Sequence, residues 1–220
     1  MTKKRVAVLI SGRGSNMAAL IEAAKDKNYP AEIVLVISNR SDAGGIALAQ
    51  AARIDTKIVD HSKYGKDREA FERALQSVLE THKIDLVCLA GFMRVLSPWL
   101  VARWTERMLN IHPALLPAFK GLDTHARALA AGVKIHGASV HFVVPEMDSG
   151  PIIAQGAVPV LDADTPESLA ARVVAIEHQL YPLSLKFVAE GRVRVETGRC
   201  IVSTAATPEG SLLVPREFRP

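Results

Sequence analysis

The chain's 220 residues predict a doubly wound α/β fold on a mostly parallel, mixed sheet, and three observations carry that prediction. Short apolar runs alternate with helical patterns through the first half. Those runs are apolar at successive positions instead of every second one, as strands covered on both faces are. A glycine-rich loop follows the first run and opens the first helix, at the strand end where such folds bind ligands.

Taken in order, Val6-Ala7-Val8-Leu9-Ile10 reads as the first strand. Residues 15–25 read as a helix with Met17, Leu20, Ile21 and Ala24 on one face. A strand over 33–38, a helix over 45–53, a short strand over 57–59 and a helix over 67–82 follow. Leu86-Val87-Cys88-Leu89-Ala90 is a fourth strand with no polar face. After Pro98 the pattern changes to a strand over 107–111, a helix over 124–131, and longer strands over 136–144 and 152–160. Residues 166–190 read as a long closing helix that Pro182 kinks or interrupts. Residues 1–203 make one domain, and 204–220, which carry little periodicity, make an extended tail.

Composition excludes several classes. Hydrophobic content of 49% with 23% charge describes a soluble globular chain, long enough for a substantial core. A formal net charge of +4 is mild, and its charges are interspersed apart from Lys3-Lys4-Arg5. Such an excess suits an anionic small substrate as well as nucleic acid. With 5% aromatic residues and no basic–aromatic interleaving, the stacking platform of a single-strand binder is missing, so no nucleic-acid partner is expected. Two cysteines give no disulfide framework and favour a reducing compartment. The basic start imitates a signal peptide, but Ser11-Gly12-Arg13 ends the apolar run too early. No apolar stretch approaches the ~20 residues of a membrane span. The expectation is a cytoplasmic monomer or homodimer without a membrane partner.

Two motifs carry chemistry. In Ser11-Gly12-Arg13-Gly14-Ser15-Asn16 the glycines let the backbone approach a ligand, and the helix amino terminus offers free amide donors to a phosphate. The alternative is that Ser15 simply caps the helix. A dinucleotide fits poorly, because Met17 stands where its fingerprint needs a small residue and Ser38-Asn39-Arg40 supplies no acid for the ribose. The second motif is Asn110-Ile111-His112-Pro113-Ala114-Leu115-Leu116-Pro117, with Asp148-Ser149-Gly150-Pro151 downstream. Asn110 and His112 point the same way if they end a strand. A loop carboxylate folded back beside them supplies an oxyanion donor, an acid/base and the charge that tunes it, a set suited to passing an acyl-type carbon to an amine. The plainer alternative is a strand end capped before a proline-stiffened loop. No metal is expected: His136 and His141, five apart on a strand, face opposite sides, and no ligand spacing appears elsewhere.

These two motifs, with Ala90-Gly91-Phe92-Met93-Arg94-Val95-Leu96-Ser97 between them, resemble one family across nearly the whole chain. It is the folate-dependent phosphoribosylglycinamide formyltransferases, or glycinamide ribonucleotide transformylases, of purine synthesis. The resemblance implies a single Rossmann-like formyltransferase domain, glycinamide ribonucleotide as substrate, 10-formyltetrahydrofolate as cosubstrate, and no metal. It assigns Gly14, Ser15 and Asn16 to the substrate phosphate and Glu177 to its ribose. Arg68 would meet the folate's glutamate carboxylate, and Met93, Arg94, Val95 and Leu96 would line the pterin slot. Asn110, His112 and Asp148 would be the catalytic set, with Asn110 also touching the folate, His141 in support and His125 as a neighbour. At Asp123 this chain departs from the resemblance, which allows a histidine there. Two other readings stay open, a 10-formyltetrahydrofolate hydrolase and a non-catalytic nucleotide-binding module.

Overall fold

Strands and helices alternate along the chain in the computed structural model, which describes residues 2–203 and Val214. The first half runs β1 (Lys4–Ile10), α1 (Ser15–Ala24), β2 (Ala31–Ser38), α2 (Gly45–Ala51), β3 (Asp55–Ile58), α3 (Arg68–Thr81) and β4 (Leu86–Leu89). The second runs α4 (Pro98–Arg103), β5 (Met108–His112), α5 (Thr124–Ala130), β6 (Ile135–Phe142), β7 (Ile152–Pro159) and α6 (Pro166–Ala189). A hairpin of β8 (Val193–Glu196) and β9 (Arg199–Val202) follows. The tail expected over 204–220 lies outside the described residues apart from Val214.

Seven strands form one sheet in the order β3-β2-β1-β4-β5-β6-β7. The first five are parallel, and β6 runs antiparallel to both β5 and β7. This is the mixed, mostly parallel sheet that the sequence predicts. The apolar runs have a simple cause. Along β1, Val6, Val8 and Ile10 enter the core cluster beneath α1 and α6, while Ala7 and Leu9 enter the one beneath α3 and α4. In β4, Leu86 and Cys88 face the first cluster, Val87 and Leu89 the second. Period-two side chains with a core on each side leave no position for a polar residue.

Two elements escaped the sequence reading. α4 begins with Pro98 directly after Ser97, a helix-start signature. The last hairpin turns at Thr197-Gly198, both with positive φ, as a two-residue hairpin turn requires. Pro182 is a correction of another kind. It does not interrupt α6, which runs unbroken for 24 residues. A mid-helix proline costs about 3 kcal/mol, and here Leu169, Val173, Leu180, Tyr181 and Leu185 bury that helix against the sheet. Burial of several such side chains, at ~1.5–3 kcal/mol each, outweighs the defect. Among the described residues no helix is long and apolar enough to cross a membrane.

One α6 side chain reaches the centre of the sheet. Tyr181 is fully buried, and its hydroxyl lies 3.1 Å from the carbonyl oxygens of both Leu89 and Leu109. It therefore ties α6 to the carboxyl end of β4 and to the beginning of β5. Removing that hydroxyl in Tyr181→Phe leaves buried acceptors short of a donor, and urea unfolding should show a loss of about 1–2 kcal/mol. An unchanged midpoint would mean that the tie contributes nothing.

Candidate active site

The glycine loop leaves β1 at its carboxyl end and folds back into α1. Gly14 is the residue before the helix, with φ of 76°, and no side chain caps that end. Ser15 is the first helical residue and is exposed, so its hydroxyl does not do the capping that the sequence left as an alternative. A Cβ on Gly14 would sit 3.0 Å from the Gly45 Cα, with Met17 Cε at 3.1 Å. The loop's close packing against α2 thus needs a glycine twice over, for its backbone angle and for space. One residue on, Asn16 donates from Nδ2 to Glu177 Oε2 at 2.7 Å, while its Oδ1 is buried without a partner. The structure brings these two expected substrate residues together across the α1–α6 contact. Burial pushes the Glu177 carboxyl above the usual range, opposed by the Asn16 bond.

A cavity of about 450 Å³ opens between this loop, Asn39, His61, Met93 and Arg94. Asn39 and His61 were not singled out from sequence. Ser11 Oγ donates to Asn39 Oδ1 at 2.6 Å, and His61 Nδ1 lies 2.8 Å from the Asn39 carbonyl oxygen. Ser38-Asn39-Arg40 does mark the end of β2 at the ligand-binding edge, which is the one signal that could have found Asn39.

The second group is built where β5 meets β6. Asn110 and His112 end β5 on one face, as their spacing predicts, and lie opposite His141 and Ser139 of β6. His141 is 2% exposed. Its Nδ1 donates to the Phe142 carbonyl at 2.8 Å, which leaves Nε2 to accept from Asn110 Nδ2 at 3.2 Å. Burial pushes the His141 pKa down, against the pull of the Phe142 bond and of Asp148, so the ring is neutral in the form these bonds need. Asn110 is thereby oriented with its second N–H free of His141.

His112 stands differently. Its Nδ1 is 3.3 Å from Asp148 Oδ2, and its Nε2 lies 3.0 Å from the Phe119 carbonyl oxygen. An imidazole facing acceptors at both nitrogens satisfies them only when it carries two protons. Asp148 is held in turn: Oδ2 accepts the Gly121 N–H at 2.9 Å, and the residue sits at a φ of 51°. Two residues on, Gly150 passes so near β6 that a Cβ would fall 1.8 Å from the Phe142 carbonyl oxygen. Only glycine there lets the loop lay Asp148 against the two histidines.

The remaining expected residues are spread around these groups. Arg68 is the first residue of α3 and is exposed, as is Arg94. Met93 and Val95 are 67% and 58% exposed, whereas Leu96 belongs to the core beneath the sheet and backs the loop. Its side chain therefore lies in the core instead of lining a slot. The His125 ring meets His136 edge-on with centroids 5.4 Å apart. Burial, reinforced by His125, pushes His136 down to about 4, and burial likewise lowers His125. Asp123 precedes α5 at a φ of 55° and makes no side-chain cap. Among the described residues no three His, Cys, Asp or Glu side chains group as a metal site would need.

The formyl transferase family matches residues 4–185. The chain is 50% identical over 198 residues to the trifunctional purine biosynthetic protein adenosine-3 of Bos taurus, covering 90% of this chain and 20% of that one. It thus spans about a fifth of that relative's length. Against the phosphoribosylglycinamide formyltransferase of Escherichia coli (strain K12) it is 42% identical over 213 residues, 97% of each chain. The crystal structure of glycinamide ribonucleotide transformylase 1 from Symbiobacterium toebii superposes with a TM-score of 0.88 at 43% identity, over 91% of this chain and 94% of that one. A formyltetrahydrofolate deformylase from Pseudomonas syringae pv. tomato is a more distant likeness, with a TM-score of 0.84, 30% identity, and 91% and 66% coverage. The chain belongs to the formyl transferase family, with the sheet, helices and end-to-end likeness of its phosphoribosylglycinamide formyltransferases.

Proposed function

We propose that this transferase moves the formyl group of 10-formyltetrahydrofolate to the amine of glycinamide ribonucleotide, without a metal. One observation supports the reading most: a histidine with an acceptor at each ring nitrogen stands beside an amide with a spare N–H. The amine nitrogen bonds to the formyl carbon, and the carbonyl electrons move onto oxygen. Asn110's free N–H faces that oxyanion, and the His112 Nε2–H turns to it from the Phe119 carbonyl, its acceptor in the free protein; one such donor is worth roughly 3–4 kcal/mol. Collapse breaks the bond to the folate nitrogen, which takes a proton from His112, while the attacking nitrogen's surplus proton returns to the ring. Asp148 favours the charged ring by opposite charge, and neutral His141 holds Asn110 in place.

At the other end of the site, the backbone N–H groups of Gly14, Ser15 and Asn16 and the exposed Ser15 hydroxyl hold the phosphate, with the helix amino terminus behind them. Glu177 accepts from the ribose hydroxyls. Arg68 meets the folate glutamate, and Met93, Arg94 and Val95 line the pterin slot, with Leu96 anchoring it from below. Both ligands are small molecules, and the reading carries a cytoplasmic location with no nucleic-acid or membrane partner. The rival is hydrolysis, in which water replaces the amine.

Release of tetrahydrofolate from 10-formyltetrahydrofolate, followed by absorbance, should depend on added glycinamide ribonucleotide and survive a chelator. Release at the same rate without the ribonucleotide would move the assignment to the hydrolase. A rate abolished by the chelator and restored by a divalent ion would bring a metal back.

Asp148→Asn should lower kcat by about 10²-fold or more, since a neutral amide no longer favours the imidazolium. Gly150→Ala should do the same from two residues away by pushing the loop off β6. Circular dichroism should confirm that both variants keep their fold. Full activity in Gly150→Ala would separate the loop's packing from the chemistry.

Ser15→Ala should weaken the ribonucleotide by the ~1.5–3 kcal/mol of a hydrogen bond to a charged group. Gly14→Val should crowd the phosphate out. Tetrahydrofolate should bind both variants as it binds the wild type, and Ser15→Ala should melt with the wild type because no cap is lost. Titration calorimetry with each ligand is the measurement, and equal ribonucleotide affinity in both variants would withdraw the phosphate assignment.

A further inference from the structure

We propose that Glu72 is a positioning residue for the folate slot. Its buried carboxylate ties the 91–97 loop to α3, the helix that presents Arg68, so that both halves of the slot rest on one rigid piece. The inference rests on the assignment of the folate made above and adds a residue that takes no part in it by contact.

Glu72 is fully buried on α3. It pairs with no cation among the described residues, which is rare for an acid in a core. Its Oε1 accepts the Ser97 N–H at 2.6 Å, and its Oε2 accepts the Ser97 hydroxyl. Ser97 is itself out of its ordinary role. It stands immediately before α4, where a serine usually turns its hydroxyl onto the helix's free N–H groups, and it makes no such bond. A buried acid without a cation and a capping serine that does not cap are two departures from local preference, and they meet in one contact. Coincident departures of this kind mark a position that function has fixed.

The rest of the loop shows what the contact fixes. At its start, Ser11 Oγ accepts the Met93 N–H at 2.8 Å and the Ser11 N–H donates to the Gly91 carbonyl at 3.1 Å. Residues 91 and 93 are therefore pinned to β1 and residue 97 to α3. Between the pins, Met93 and Val95 are held out at 67% and 58% exposure, although a loose loop would fold such side chains inward. A flat apolar ligand is the partner they lack. Arg68 lies one helical turn before Glu72, on the same rigid helix, so the Ser97 contact sets the span between the apolar slot and the guanidinium.

The test compares Glu72→Leu and Glu72→Gln with the wild type, using tetrahydrofolate calorimetry, KM for each substrate and thermal melts. Glu72→Leu strips the Ser97 N–H and hydroxyl of their acceptor, so a merely structural role lowers the melt and leaves the binding alone. The expected result is tetrahydrofolate affinity and the 10-formyltetrahydrofolate KM weakened by about tenfold or more in Glu72→Leu. The ribonucleotide KM should stay within about twofold, and Arg68→Ala should cost less in the Glu72→Leu background than alone. Glu72→Gln, which keeps one acceptor for Ser97, should fall between the two and serves if Glu72→Leu does not fold. Wild-type tetrahydrofolate affinity in either variant, or equal loss for both substrates, overturns the inference. A wild type that binds no tetrahydrofolate at all would instead remove the folate assignment beneath it.

Discussion

The site depends on the parallel pairing of β1 with β4. The chain lays down β1, β2 and β3 outward on one side, then crosses back to place β4 on the other side of β1. At that reversal the loops leaving β1 and β4 diverge to opposite faces of the sheet, and a crevice opens between them. The 11–16 loop and the 91–97 loop are its two walls. They are joined at the base by Ser11, whose N–H donates to Gly91 and whose hydroxyl accepts from Met93. β5 is the next strand over, so Asn110 and His112 emerge beside that crevice without any further device. The proposed phosphate, pterin and reacting groups lie together because of strand order, and the side chains only refine a juxtaposition the backbone has made.

Burial then keeps the rings around His112 neutral. Three other imidazoles lie around His112, and burial lowers the pKa of each: His141, His125 and, to about 4, His136. A cation at any of them would repel a proton on His112. Kept neutral, they leave His112 as the ring that Asp148 meets most closely, at 3.3 Å, while its separation from His141 is 3.8 Å. In the proposed reaction the same burial would strengthen an attraction between Asp148 and a protonated ring, because little water is left to screen it. The backbone completes the arrangement: Gly121 fixes the carboxylate and Phe119 takes the other ring proton.

Much of this was legible in the sequence, and what was not had a physical reason. β1 and β4 announced themselves because a strand buried on both faces cannot alternate, as Val6 through Ile10 shows. Asn110 and His112 were legible as a pair since period two is local. Asp148 was legible as a loop carboxylate that could fold back beside them, but its contact was not, because it lies 36 positions from His112 and a glycine's close approach brings it back. α4 and the last hairpin carried local signals, Ser-Pro and Thr-Gly, that were there to be read. The side chain of Leu96 was harder to place: an apolar run looks the same whether its residues face a ligand or the core, and this one faces the core. The Glu72–Ser97 and Ser11–Asn39 contacts join residues 25 and 28 positions apart, and no local pattern encodes such a meeting.

α6 explains why a long closing helix belongs to a site built on loops. Near its middle, Glu177 takes the Asn16 amide and so braces the start of α1, just after the glycine loop. One turn later Tyr181 reaches through the core to the carbonyls at the end of β4 and the beginning of β5. Beyond it the Pro182 carbonyl accepts from Tyr29, just ahead of β2. A helix touching the start of α1, the end of β4 and the strand of Asn110 ties their positions together. A break at Pro182 would uncouple Glu177 from Tyr29, so the continuity of α6 through that residue keeps both contacts on one element. The strain of one proline is small against the packing that holds both halves in line.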